Sequence, residues 1–157
     1  MSLVDTLTNE ATLQVLSFPL GNELFAIDVT TVKEIERARP AIKIPNTLDC
    51  LEGVIRWRGQ ATPLLNLAKR IGAPQGDRAG DCVIIVDAGE RHSALLVDDV
   101  PRIRSIDKKD ISPPDALTGT TDSRYVGGYG KVDGQIIILL RMDSVLDWDA
   151  PRPSGNA

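Results

Sequence analysis

Apolar and polar positions alternate in short runs along most of the chain, with the two-residue period of strands rather than the 3.6-residue period of helices. Between Leu13 and Leu20, residues Leu16, Phe18 and Leu20 fall on one face of a predicted strand. Gly21-Asn22 turns the chain, and Glu23–Asp28 returns as a second strand. Val29, Val32 and Ile35 have helical spacing, but four β-branched residues in a row resist a helix, so one helical turn running into an extended segment is predicted. Pro45 keeps Ile44 extended. Gly53–Arg58 reads as a strand, Gly59-Gln60 as a tight turn and Ala61–Leu65 as its partner, with Pro63 pointing to an edge or a bulge. Asn66 can cap, and Gly72 can end, a short helix through Leu67 and Ile71. Val83–Val86 is a predicted buried strand, Gly89 a turn and His92–Val97 its return. Residues 107–121 read as a long loop, and Tyr125–Val132 and Gln135–Leu140 as a hairpin across Asp133-Gly134. Met142–Leu146 closes with one helical turn. Residues 1–11 and 149–157 read as flexible tails, and 73–80 as a linker.

The pattern repeats. Ala26, Ile27, Val29, Val32 and Ile35 match Ala94, Leu95, Val97, Val100 and Ile103 at an offset of 68 residues. The same offset pairs Val15 with Val83, Phe18 with Val86, Gly21 with Gly89 and Pro45 with Pro113. Gly59-Gln60 and Leu64-Leu65 match Gly134-Gln135 and Leu139-Leu140 at an offset of 75, so the second copy has gained seven residues. A duplicated module follows, each copy holding about five short strands, enough to close a small barrel and remove exposed sheet edges. The expected organisation is one domain over 12–148, with one subdomain over about 12–75 and a second over about 80–148.

The 157 residues are 42% hydrophobic and 25% charged, sufficient for a globular core, while an aromatic share of 4% leaves aliphatic side chains to fill it. A net charge of -4 argues against a phosphate-backbone partner. No apolar run has the length of a membrane-spanning helix, and the first residues do not read as a signal peptide. Cys50 and Cys82 have no metal-ligand spacing and read as reduced core residues of a cytoplasmic protein.

Catalytic chemistry lacks its parts. His92 is the only histidine, and adjacent Asp98 and Asp99 diverge on a strand. Asp107, Asp110 and Asp115 lack EF-hand spacing. Gly127–Lys131 lacks the phosphate-loop pattern and precedes no long helix. No enzyme, metal or cofactor is expected. A small β-barrel nucleic-acid-binding protein is the alternative, with Tyr125 and Tyr129 stacking bases and Arg37, Arg39, Lys43, Arg56 and Arg58 meeting phosphates.

Phe25-Ala26-Ile27-Asp28, Val32-Lys33-Glu34-Ile35 and Ile44-Pro45-Asn46 resemble the opening of a CheW domain. Gly53-Val54-Ile55-Arg56-Trp57-Arg58-Gly59 resembles that family's central G-V-I-x-x-R-G signature, followed by Pro63–Leu67. Asp122, Arg124-Tyr125, Gly128, Gly130-Lys131 and Ile136–Leu140 resemble its closing hairpin. The likeness spans about residues 12–148. It implies an all-β fold of two pseudo-symmetric five-stranded Src-homology-3-like barrels packed around a shared hydrophobic interface. It also implies a non-catalytic adaptor, without cofactor, that couples the cytoplasmic tip of a chemoreceptor to the regulatory domain of a CheA-type histidine kinase.

The resemblance places Arg58, Gly59, Val32, Glu34 and Arg56 as partner-binding candidates. Arg58 precedes a turn glycine, and its guanidinium can clamp carboxylates or helix carbonyls. Val32 and Glu34, two apart, face the same way if their segment is extended. Trp57, between two arginines, is expected to pack inward, and Val97, Val100, Ile103, Leu139 and Leu140 to fill the core.

Overall fold

The computed structural model describes residues 11–45, 48–73, 80–88, 91–99, 101–115 and 122–147. The tails proposed for the two ends, the turn at Gly89, Asn46, Val100 and most of the 73–80 linker lie outside the described residues. Among these residues, eleven strands and two short helices follow in order. They are β1 Thr12–Leu20, β2 Glu23–Asp28, β3 Val32–Arg37, β4 Leu51–Trp57, β5 Gln60–Asn66 and α1 Leu67–Ile71, then β6 Cys82–Ala88, β7 Arg91–Val97, β8 Arg102–Asp107, β9 Ile111–Ser112, β10 Val126–Val132, β11 Gln135–Leu140 and α2 Met142–Val145.

The strands form two sheets, β3-β6-β7-β5-β4 and β8-β1-β2-β11-β10-β9. Each closes on itself the same way. Beyond β3 the chain runs on to Ile42, which exchanges backbone hydrogen bonds of 2.9 and 2.8 Å with Val54 of β4. Beyond β8 it passes a 3-10 turn at Lys108–Asp110 into β9, which pairs with β10 at Tyr129 and Gly130. A glycine lies at each closure: a Cβ on Gly53 would collide with the Ile42 carbonyl, and one on Gly128 would come within 2.8 Å of the Ser112 carbonyl oxygen. Residues 107–115, read from sequence as loop, thus hold the strand that closes a barrel.

The duplication is written in the backbone. Bulges fall between Leu51 and Gly53 on β4 and between Val126 and Gly128 on β10, 75 residues apart. The hairpin turns that follow have the same left-handed dihedrals: φ 49° and 77° at Arg58-Gly59, 50° and 78° at Asp133-Gly134. Two successive positive φ values make the type I′ turns that suit twisted hairpins.

The two sheets do not follow the two halves of the sequence. The first contains β3 to β7, a continuous run of chain; the second joins β1 and β2 to β8–β11. The expected division near residues 75–80 is therefore replaced by a hairpin exchange. β2 pairs in parallel with β11, and β7 in parallel with β5, so each copy's first hairpin completes the other copy's barrel. Pro63 is likewise not at an edge, since β5 lies between β4 and β7; the β7 ladder starts one residue later, at Leu64.

Three cores result. The largest lies between the sheets and includes Leu16, Phe18, Phe25, Leu65, Ile71, Ile84, Leu95 and Val145. Ile55, Trp57, Leu64, Val83, Ile85 and Ala94 fill one barrel, and Val15, Ala26, Ile106 and Ile137 the other. Val97 and Leu140 are buried as expected and Leu139 packs partly buried, but Ile103, expected in the core, is 67% exposed on the outermost strand β8.

Candidate partner-binding surface

The surface begins where β2 enters β3. Asp28 caps a 3-10 turn at Val29–Thr31, accepting from the Thr30 backbone N–H at 2.9 Å and hydroxyl at 2.8 Å. The chain then enters β3 with a bulge, where Val32 stands opposite Val86 but Glu34 opposite Ile85. Val86 belongs to the core between the sheets and Ile85 to the barrel interior. Val32 and Glu34 therefore lie on opposite faces, although both are extended and two apart. The extra residue of the bulge reverses the alternation. Val32 packs against the central core, while Glu34 looks across the barrel mouth.

Arg58 stands at that mouth on the β4–β5 turn. Its guanidinium lies 3.5 Å from Glu34 Oε1 and its Cζ 4.7 Å from the Trp57 ring centroid. The Arg58 side chain remains 70% exposed. Such a pair adds little stability, and the guanidinium faces solvent beside Glu34 and the Trp57 ring. Trp57 is buried, as predicted, and its ring meets that of His92 at 5.0 Å. Gly59 has open space around its missing Cβ, so its role is the left-handed backbone and not close approach. Arg56 is exposed on β4 opposite Ala61.

Two neighbours belong to this cluster that the partner-binding reading of the sequence left out. Glu36 lies on the Glu34 side of β3 and pairs with Arg39 at 2.7 Å. Burial, then hydrogen bonding with Glu34, pushes the Glu36 carboxyl up. Glu34 is held below the usual carboxylate range, first by Glu36 and then by Trp57 and Arg58. The i, i+2 spacing of the two glutamates was visible, but Arg39 meets Glu36 from beyond the end of β3 at Arg37.

Among the described residues, no group of three His, Cys, Asp or Glu side chains could hold a metal ion. Asp107 instead caps its own 3-10 turn through the Lys109 N–H. Gly127–Lys131 lies within β10. Tyr125 and Tyr129, the bases' stacking partners in the nucleic-acid reading, are 3% and 9% exposed and cannot serve. No described helix is long and apolar enough to cross a membrane.

The family model of the CheW-like domain matches residues 14–150. The chemotaxis protein CheW of Klebsiella aerogenes is 31% identical over 133 residues, 83% of this chain and 80% of that one. The probable chemotaxis protein CheW of Rhizobium etli is 28% identical over 138 residues, 87% of this chain and 89% of that one. Among solved structures, the scaffolding protein TtCheW from Thermoanaerobacter tengcongensis superposes with a TM-score of 0.78 at 29% identity, covering 87% of this chain and 94% of that one.

Proposed function

The chain belongs to the CheW-like domain family and is a chemotaxis adaptor, and from that premise we propose which partners it joins and with which residues. It links the cytoplasmic tip of a chemoreceptor to the regulatory domain of a CheA-type histidine kinase. It acts by binding alone, without cofactor or turnover, in the cytoplasm at membrane-associated receptor arrays. Two barrels offer separate surfaces, as an adaptor with two partners requires, and modest individual interfaces suffice where an array supplies avidity.

The observation that carries the receptor assignment is Arg58. Its exposed guanidinium is braced by Glu34 and Trp57 on a turn whose backbone disfavours a non-glycine residue. Backbone strain at such a position motivates a functional reading of the side chain. A receptor helix end or carboxylate would meet the fork of Arg58, with Glu34, Gly59 and Arg56 forming the rim. Val32 supports this surface from behind, through the core.

Arg58→Ala is expected to weaken binding to a receptor-tip fragment about tenfold or more, as for an interface arginine anchor, measured by calorimetry. The far-ultraviolet circular dichroism stays unchanged. Unaltered affinity in a folded variant would remove Arg58 from the receptor surface.

A further inference from the structure

The mouth of the second barrel holds a cavity of about 560 Å3, a size that suits a small ligand. On the β8–β1 ladder Arg104 stands opposite Val15 and Arg102 opposite Ser17, so both arginines share the barrel-facing side with Val15 and Ile106. Val15, Ala26 and Ile137 fill the barrel deeper in, while Ser17, Leu24, Arg104 and Gln135 wall the cavity at its end. The equivalent mouth of the first barrel is filled. The offsets of 68 and 75 residues put Ile85 in the place of Ser17, His92 in that of Leu24 and Trp57 in that of Val132. Ile85 and Trp57 are buried, and the Trp57 ring meets that of His92 at 5.0 Å. Serine and valine in place of isoleucine and tryptophan leave the second mouth open.

The lining carries both signs of charge. Arg102 and Arg104, two apart on one face of β8, present two guanidinium forks suited to a carboxylate. The Arg104 Nε donates to the Ser17 hydroxyl at 3.2 Å, and that hydroxyl donates to the Arg102 carbonyl at 3.1 Å, so buried Ser17 ties the two arginines to the cavity wall. Asp99 and Glu23 line the same space. A simple anion meets these carboxylates as well as the arginines, and a simple cation meets the arginines as well as the carboxylates. A ligand bearing both charges is matched by both. Leu24 and Pro19 add an apolar wall. We propose that this cavity binds a small zwitterion, a free α-amino acid. Its carboxylate lies on Arg102 and Arg104, its ammonium faces Asp99 and Glu23, and its side chain packs on Leu24 and Pro19. The site is on the barrel that does not carry Arg58 and Glu34, and the inference is independent of the partners proposed above.

Titration of the isotope-labelled full chain with free L-leucine and L-methionine, followed by backbone amide shifts in nuclear magnetic resonance, tests it. Saturable shifts at Ser17, Arg104 and Gln135 are expected with at least one of the two, at a Kd of about 1 mM or below. The N-acetyl derivative lacks the ammonium and the amide derivative lacks the carboxylate; each should bind about tenfold more weakly than the free amino acid. Arg104→Gln and Asp99→Asn should each weaken binding by a similar factor. Val132→Trp, which copies the plug of the first barrel, should abolish binding; should that variant fail to fold, Arg104→Gln decides. No saturable shift with either amino acid up to about 10 mM, unchanged affinity in folded Arg104→Gln or Val132→Trp, or derivatives that bind as tightly as the free amino acid would each overturn the proposal.

Discussion

Arg58 occupies backbone at φ 49°, where an L-residue other than Asn or Asp is disfavoured. Its contacts with Glu34 and Trp57 are exposed and return little of that cost. Arg58→Asn creates the Asn-Gly pair preferred by a type I′ turn. It is expected to raise stability by about 0.5–1 kcal/mol in urea titration while weakening receptor binding. A destabilised variant would show that the arginine belongs to the fold. Glu36 makes a second prediction. Its folded-state carboxyl titrates above its ordinary value of 4.5, so its ionisation opposes folding. That cost is complete above the folded value and vanishes as pH falls below about 4.5. Glu36→Gln should therefore stabilise the protein at neutral pH, with the gain fading on acidification through that window. A difference independent of pH, as loss of the Arg39 contact alone would give, contradicts this reading.

At the scale of elements, the two barrels fill equivalent space with exchanged volumes. Ile55 in the first barrel corresponds to Gly130 in the second at the 75-residue offset, and Ala38 to Ile106 at the 68-residue offset. A Cβ on Gly130 would lie 3.0 Å from Ile106 Cδ1, so the large residue on β8 occupies what the large residue on β4 fills in the other barrel. Gly130→Ala should be destabilising alone and partly rescued by Ile106→Val. A double-mutant cycle is expected to yield about 0.5–3 kcal/mol of coupling, and strict additivity would contradict the exchange. α1 and α2 are joined by Arg70, whose Nε donates to the Val145 carbonyl at 2.8 Å and whose guanidinium also reaches the Asp147 carbonyl at 3.0 Å. Strands and turns were legible because alternation, Asp133-Gly134 and Gly59 act locally. The bulge that separates Val32 from Glu34 was not, since a one-residue insertion leaves the composition of the segment unchanged. β9 is two residues long and carries no period to detect.

At the scale of the molecule, the repeat offsets read from sequence are the offsets of equivalent bulges and turns. Similarity between two segments shows that they share a shape but not whose neighbours they become. The exchange of the first hairpins between barrels therefore stayed hidden, and with it the broad shared core that locks both barrels into one unit. The adaptor's surfaces are consequently carried on one body, so a partner docked on either barrel is held in a set geometry relative to the other. The most direct test is calorimetric titration of the full chain with the isolated regulatory domain of a CheA-type kinase from the same cell. A saturable one-to-one complex is predicted, and absence of heat or complex near millimolar concentration, with both proteins folded, would contradict the bridging role.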